Sequence, residues 1–279
     1  GAKGVVYRYD EEIIVKVYKN SDCLPDIKNE RELARRAFVL GIPTAISYDI
    51  VKVGEQFGSV FELLDAKSYS QMIADDPENR DKYITEYALL LRKIHETAVK
   101  PDDMPDIKEK IYSWLETAAP YLPGAVALKL RKLIDETPDG MNMLHCDYHT
   151  NNVMYQNGEA LLIDMDTLSH GHPVFELANV FITYVGFGVK DPSNVENFLG
   201  MPYDIAKYVW EKFFPIYLGT DDEARLNEVE QKIELLSCVR LLRHTVRRGK
   251  GDEEPGRSVI EYAISTIEKL VDVVDSLVF

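Results

Sequence analysis

Two carboxylates, a carboxamide and a histidine stand close together in the stretch LHCDYHTNNVMYQNGEALLIDMD. His145, Asp147 and Asn152 follow the spacing H-x-D-x-x-x-x-N, and Asp164 comes twelve residues after Asn152, behind the apolar run 160–163. Carboxylates and an amide on short loops beside strands offer oxygen donors, which suits Mg²⁺. Phosphoryl transfer needs such parts. One carboxylate orients an attacking hydroxyl, and other oxygens hold the metal ions that neutralise the β- and γ-phosphates. Asp and Asn are common residues, so the spacing gains force only from the elements that would position it.

Upstream, residues 5–19 (VVYRYDEEIIVKVYK) read as a hairpin of two strands around Glu11 and Glu12, with Lys16 on the second strand. A glycine-bearing stretch with Gly1 and Gly4 precedes it. Residues 26–40 space Ile27, Leu33, Ala34, Ala37 and Leu40 as a helix that carries Glu30 and Glu32; Gly41 ends it and Pro43 prevents its return. Residues 46–53 and 58–64 predict two more strands, joined by a turn at 54–56. Past Asp65 the pattern turns helical: 80–98, 107–118, 124–136, 203–218, 223–248 and 257–278, with short apolar runs at MLH and ALLID flanking the chemical stretch. The expected fold class is α+β, a small β-rich N-terminal lobe over residues 1–65 and a larger helical lobe over 66–279.

The order of these features matches the logic of protein kinases: glycine loop, strand lysine, helix glutamate, hinge, catalytic loop, metal aspartate. More specifically, the chain resembles the aminoglycoside phosphotransferase/choline kinase family. That family's catalytic loop is similar to H-G-D-x-H-x-x-N, here His145-Cys146-Asp147-Tyr148-His149-Thr150-Asn151-Asn152. Its metal segment is similar to I-D-W/F-E/D, here Ile163-Asp164-Met165-Asp166. Its G-x-P-x-x-D-L-A element is matched by Gly171-His172-Pro173-Val174-Phe175-Glu176-Leu177-Ala178, and its L-x-x-x-H helix end by Leu91 to His95. The motifs run in order through roughly the first 180 residues.

The resemblance implies a two-lobe, kinase-like fold and ATP- or GTP-dependent transfer of the γ-phosphoryl group to a hydroxyl of a small molecule. Asp147 would be the catalytic base or hydroxyl-orienting carboxylate, and His145 would brace the catalytic loop. Asn152 and Asp164 would ligate Mg²⁺. Lys16 would contact the α- and β-phosphates with Glu30 holding it, Glu62 and Leu64 would bound the adenine-facing hinge, and Gly4 would belong to the nucleotide loop. Glu30 is preferred to Glu32 because it lies nearest the spacing Glu-x₁₀-Gly of the family. Asp166 is read as a loop-bracing acid, and His95 as a packed helix histidine. Cys146 in place of the family's glycine, and Glu176 in place of its aspartate, are departures that small-residue packing and a longer carboxylate could absorb. The strand expected before the glycine loop is absent from the sequence.

Composition bounds the alternatives. The 279 residues hold 32 Lys+Arg and 47 Asp+Glu, a formal net charge of −15, with 46% hydrophobic residues. That balance argues against a nucleic-acid-binding face and a polybasic membrane anchor. The longest uncharged stretch, 177–189, is too short to span a bilayer, which needs about 20 residues. No signal peptide is visible, and Cys23, Cys146 and Cys238 are widely spaced, as reduced thiols of a cytoplasmic protein would be. Residues 1–70 carry 10 basic and 11 acidic side chains, while 151–279 carry 12 and 21. The acidic C-terminal lobe leans toward a cationic acceptor such as an aminoglycoside or an amino alcohol. Arg240, Arg243, Arg247, Arg248 and Lys250 form one positive cluster, expected to pair with Asp252, Glu253 and Glu254, with an acidic partner as the alternative. Tyr112, Trp114 and Tyr121 read as helix core rather than pocket lining. Two rival functions remain: a kinase-like binding module without turnover, and a zinc hydrolase using His145, Asp147, His149 and His170 or His172.

Overall fold

The computed structural model describes residues 4–279, so Gly1 lies outside the described residues. The chain begins with β1 (Gly4–Arg8) and β2 (Ile13–Tyr18), then α1 (Leu24–Val39), β3 (Asp49–Val53) and β4 (Gln56–Glu62). These four strands form one antiparallel sheet in the order β1-β2-β4-β3. The turn between β3 and β4 is tighter than the sequence suggests. Val53 pairs with Gln56, and Gly54 takes φ +62°, a conformation glycine adopts without steric cost.

Alternation along β2 sets which side chains meet the rest of the molecule. Val15 and Val17 are buried on one face. Ile14, Lys16 and Tyr18 point the other way. Across the pairs, Val6 and Ser59 stand opposite Lys16, and Phe61 stands opposite Ile14. Gly4 opens strand β1 opposite Tyr18, so within the described residues it is a strand residue rather than a loop residue. A side chain there would strike Val17 O at 2.5 Å.

Helix α1 starts with Pro25 in its first turn and Asp26 beside the N-terminal dipole. Ile27, Glu30, Ala34 and Ala37 fall on its inner face. Glu32 falls on the outer one, where it bonds Arg36 at 3.1 Å. The 3₁₀ turn Met165–Thr167 packs against α1. The β-rich part also joins the rest through backbone bonds. Ala45 N–H donates to Leu162 O, and Leu162 N–H donates to Pro43 O, each at 2.9 Å.

The larger part contains β5 (Lys67–Ser68), α2 (Tyr69–Asp75), α3 (Arg80–Glu96), α4 (Ile107–Ala118) and α5 (Gly124–Glu136). Next come β6 (Asn142–Leu144), β7 (Val153–Gln156), β8 (Glu159–Leu162), β9 (Ser169–Gly171) and α6 (Val174–Tyr184). The chain finishes with α7 (Ser193–Leu199), α8 (Tyr203–Leu218), α9 (Glu223–Arg247) and α10 (Gly256–Val271). One hydrophobic core runs through these helices. Helix α6 is buried at every position and packs heavily on α9, so it forms the centre of this part. The small ribbons β6-β9 and β5-β7-β8 are the frames that hold the catalytic-loop stretch between them. The fold is therefore α+β and two-lobed. All three cysteines are buried and free, and among the described residues no helix is long and apolar enough to cross a membrane.

Candidate active site

A cleft of about 540 Å³ lies between the β2–β4 face and the loops around β6 to β9. Gly4, Lys16, Glu30, Glu62, Leu64, Asp147 and Asp164 all line it. These residues span the first 164 positions, and the fold brings them to one place.

Lys16 is the centre of a charged network on the β2 side of the cleft. Its Nζ stands 3.3 Å from Glu30 Oε1 and 2.7 Å from Asp164 Oδ1. Burial would push its pKa down, but the charges of Glu30 and Asp164 outweigh burial and hold the ammonium above the ordinary lysine value. Glu30 is itself fixed by Tyr18, whose hydroxyl donates to Oε2 at 2.7 Å. Of the two glutamates weighed from sequence, Glu30 meets Lys16. Glu62 and Leu64 flank Leu63, whose N–H donates to Glu12 O. Val6, Ile14, Ala45, Phe61 and Ile163 make an apolar slot beside them.

The catalytic-loop stretch is held from behind by one carboxylate. Glu176, fully buried on α6, accepts from His145 N–H at 2.7 Å, from Cys146 N–H at 2.6 Å and lies 2.8 Å from His95 Nε2. His95 Nδ1 in turn meets the Tyr217 hydroxyl at 2.6 Å. His95 is thus a packed helix histidine that supports the loop. His145 is also fully buried, and its Nδ1 accepts from Asp147 N–H at 3.3 Å. It stands behind the cleft wall rather than on it. Cys146 has φ +65°, so what its position demands is left-handed backbone rather than merely a small side chain.

Asp147 projects half-exposed into the cleft. Burial opposes its charge, but His149 with Nε2 at 3.7 Å, together with His145 and Arg240, pulls its carboxyl down to about 2. Asn152 Nδ2 donates to Asp147 O at 3.0 Å, which leaves Oδ1 as the amide's free acceptor end. Asp164 takes the left-handed conformation, φ +62°, at the start of the 3₁₀ turn. Oxygen atoms of Asp164, Asp166 and Glu30 lie within 4.8 Å of one another. Asp166 therefore belongs to the carboxylate group at the cleft, not only to loop bracing. An all-oxygen donor set of this kind fits Mg²⁺.

The rival zinc arrangement does not assemble. His170 Nδ1 lies 3.1 Å from Gly140 O, and His172 Nδ1 accepts from Val174 N–H while its ring meets Phe279. Among the described residues, the only compact cluster of metal-binding side chains is Glu30, Asp164 and Asp166.

Part of the cleft wall went unread in the sequence. Arg240 and Arg243 of α9, with Lys110 and Trp114 of α4 and Asn179 of α6, line the side of it that these helices build. Arg240 sits over the Trp114 ring, 5.4 Å from its centroid. The expectation that Arg240 and Arg243 pair with Asp252, Glu253 and Glu254 fails, because their side of α9 faces the cleft. Arg240 follows Val239 and precedes Leu241 and Leu242, and a charge in so apolar a run was the available signal. Trp114 is both core and pocket wall. Tyr112 instead bonds Asp135, and Tyr121 is exposed.

Geometry and topology together define a kinase-like fold with a paired lysine, a helix glutamate and three aspartates at the cleft. A sequence model of the phosphotransferase enzyme family APH matches residues 2–199, and the chain belongs to that family. The structure is similar to a choline/ethanolamine kinase family protein from Mesorhizobium loti (TM-score 0.59, 13% identity, covering 98% of this chain and 86% of that one). It is also similar to a thermostable mutant of aminoglycoside phosphotransferase APH(4)-Ia in ternary complex with AMP-PNP and hygromycin B (TM-score 0.58, 16% identity, 98% and 94%). A third similar structure is choline kinase LicA from Streptococcus pneumoniae (TM-score 0.57, 14% identity, 96% and 91%). No curated protein sequence matches the chain.

Proposed function

We propose that the protein is a small-molecule kinase that moves the γ-phosphoryl group of ATP or GTP to a substrate hydroxyl. The observation that carries this reading is the convergence of Lys16, Glu30, Asp164 and Asp147 on one cleft. In this reading residues 1–65 are the nucleotide-binding lobe and 66–279 carry the catalytic loop, the metal site and the acceptor helices. The apolar slot receives the base, and the backbone between Glu62 and Leu64 meets its edge. Lys16, kept charged by Glu30, binds the phosphates. Asp147 stays ionised at neutral pH and accepts a hydrogen bond from the acceptor hydroxyl, aiming its oxygen at the γ-phosphorus. His145 and Glu176 hold the loop that carries Asp147.

Asn152 through Oδ1 and Asp164, with Asp166 beside them, would hold Mg²⁺, which neutralises charge on the β- and γ-phosphates when bound. The residues needed for this site are all present, which favours turnover over a binding-only role. The test is nucleoside diphosphate release across a panel of hydroxyl compounds, with Asp147→Asn as the blank. The expected result is release with at least one acceptor, at least a hundredfold slower in Asp147→Asn, while binding of the nucleotide persists in both. Full activity in the variant refutes the role of Asp147. Nucleotide binding without release on any acceptor would instead favour the binding module.

A further inference from the structure

The acceptor side of the cleft is cationic, although the chain as a whole carries a net charge of −15. Arg240, Arg243 and Lys110 converge there. Among the described residues many charged side chains are paired along their own helix, as Arg131 is with Asp135 and Arg92 with Glu96. These three are not. Among the described residues none of them has a carboxylate within ion-pair distance, and none donates a hydrogen bond. Arg243 Nε is buried with no partner.

Arg240 is more confined still. Burial pulls its pKa down to about 10, against the pull of Asp147. The guanidinium lies over the face of Trp114, and among the described residues its planar set of N–H donors makes no hydrogen bond. Asp147 acts on it only from beyond ion-pair distance. A confined guanidinium with no carboxylate in contact is costly, and the same fold could have placed a neutral residue there. Asn179 adds a buried Oδ1 with no partner at the same wall.

We infer that the acceptor is an anionic hydroxy compound, whose carboxylate or phosphate group docks on Arg240 and Arg243 while its hydroxyl reaches Asp147. This inference rests on the small-molecule kinase reading and sets the class of its substrate. A planar guanidinium suits either anion, because both carboxylate and phosphate accept two parallel N–H bonds. The anion also answers a problem of approach. Asp147 repels negative charge, so an anionic acceptor must be held by its far end, and the arginines provide that hold. The Asn179 carbonyl oxygen offers an acceptor for a second hydroxyl. A cationic acceptor would have to lie against two guanidiniums and an ammonium.

Two measurements on the 279-residue chain test this. The first fills the nucleotide site with Mg²⁺ and AMP-PNP and titrates four compounds sharing a three-carbon frame: glycerol, glycerate, glycerol 3-phosphate and 3-amino-1,2-propanediol. The readout is Trp114 fluorescence in a Trp210→Phe background, since Trp114 lies against Arg240. The expectation is at least tenfold tighter binding of one or both anions than of glycerol, weakened at least tenfold by Arg240→Met. The stronger of the two anions identifies carboxylate or phosphate as the recognised group. The second measures steady-state diphosphate release with the same four compounds. Arg240→Met should raise the acceptor KM at least tenfold and leave the nucleotide KM within about twofold.

Equal or tighter binding of the amine, or no preference for the anions over glycerol, overturns the inference whether or not turnover occurs. A rise of the nucleotide KM equal to that of the acceptor also overturns it, by giving the arginines to the nucleotide. Anion binding without release on any acceptor supports the docking site while refuting the kinase reading, so the two failures are separable.

Discussion

Replacing Glu176 by Gln should destabilise the protein more than its removal of a single charge suggests. The side chain is fully buried and holds three groups at once: His145 N–H, Cys146 N–H and His95. A glutamine is nearly the same shape, but one of its two ends is an amide donor. His95 can adapt by changing tautomer and accepting from that amide. The backbone cannot. Whichever way the amide turns, either His145 N–H or Cys146 N–H faces another donor. Leaving one buried donor unpaired costs about 1–3 kcal/mol, and weakening the other bond from charged to neutral costs roughly 1 more. The expected loss is about 3 kcal/mol. For a chain of this size that corresponds to a fall in Tm of roughly 6 °C. Glu176→Asp keeps the charge but shortens the reach, and should lose about half as much. Urea unfolding and a thermal scan read these values. A Gln variant melting within about 1 °C of the parent, or an Asp variant less stable than the Gln one, would refute the reasoning.

The low pKa of Asp147 makes a signed prediction. A carboxyl held near 2 in the folded protein and near 4 when unfolded stabilises the fold above about pH 4, and loses that contribution as pH falls through about 2. The stability gap between the parent and Asp147→Asn should therefore narrow on acidification below about pH 4, and a gap that widens there would contradict the charge environment described for Asp147. Cys146→Gly should be near neutral, within about 1 kcal/mol, because relief of left-handed backbone offsets both the freedom glycine gains when unfolded and the lost thiol packing. Cys146→Val should lose more than about 2 kcal/mol, since a β-branched side chain tolerates positive φ poorly, and a Val variant as stable as the parent in urea would count against that account.

The catalytic stretch was legible because its parts lie within twenty residues on loops framed by short strands, and because the upstream lysine and helix glutamate stand in the order the family resemblance requires. Lys16 and Glu30 were picked out through the family resemblance, Glu30 over Glu32 by the Glu-x₁₀-Gly spacing. The structure adds the physical reason: helical spacing on α1 turns Glu30 inward to Lys16 and leaves Glu32 outside on Arg36. Helix α6 escaped because it is buried at every position, so it shows no polar face for a helical period to reveal. Helix α2 escaped through its shortness, although Ser68 and Gln71 form a capping box that marks its start. The role of Cys146 was misread as a question of size because a dihedral angle leaves no mark on a side-chain pattern. Arg240 and Arg243 were misassigned for a different reason. The residues that share their cleft wall lie on α4 and α6, more than sixty residues upstream, and nothing local says which face of α9 meets the cleft.

That last error bears on how charge should be read. The acidic excess suggested a cationic acceptor, yet it is a sum over a surface. Exposed charges more than about 8–10 Å away are largely screened at ordinary ionic strength. A substrate in the cleft meets contact-distance groups instead, in surroundings where water is thinned and each charge acts more strongly. Two guanidiniums against an apolar indole at the cleft wall therefore outweigh many carboxylates on distant helices. In the proposed reading the carboxylates that line the cleft have other work: Asp147 faces the hydroxyl, Asp164 and Asp166 the metal, Glu30 holds Lys16 and Glu62 stands at the hinge. Subtracting them leaves a positive remainder on the acceptor side. Net charge bears on solubility and long-range approach; the sign of the acceptor is decided by the few side chains left uncommitted within its reach.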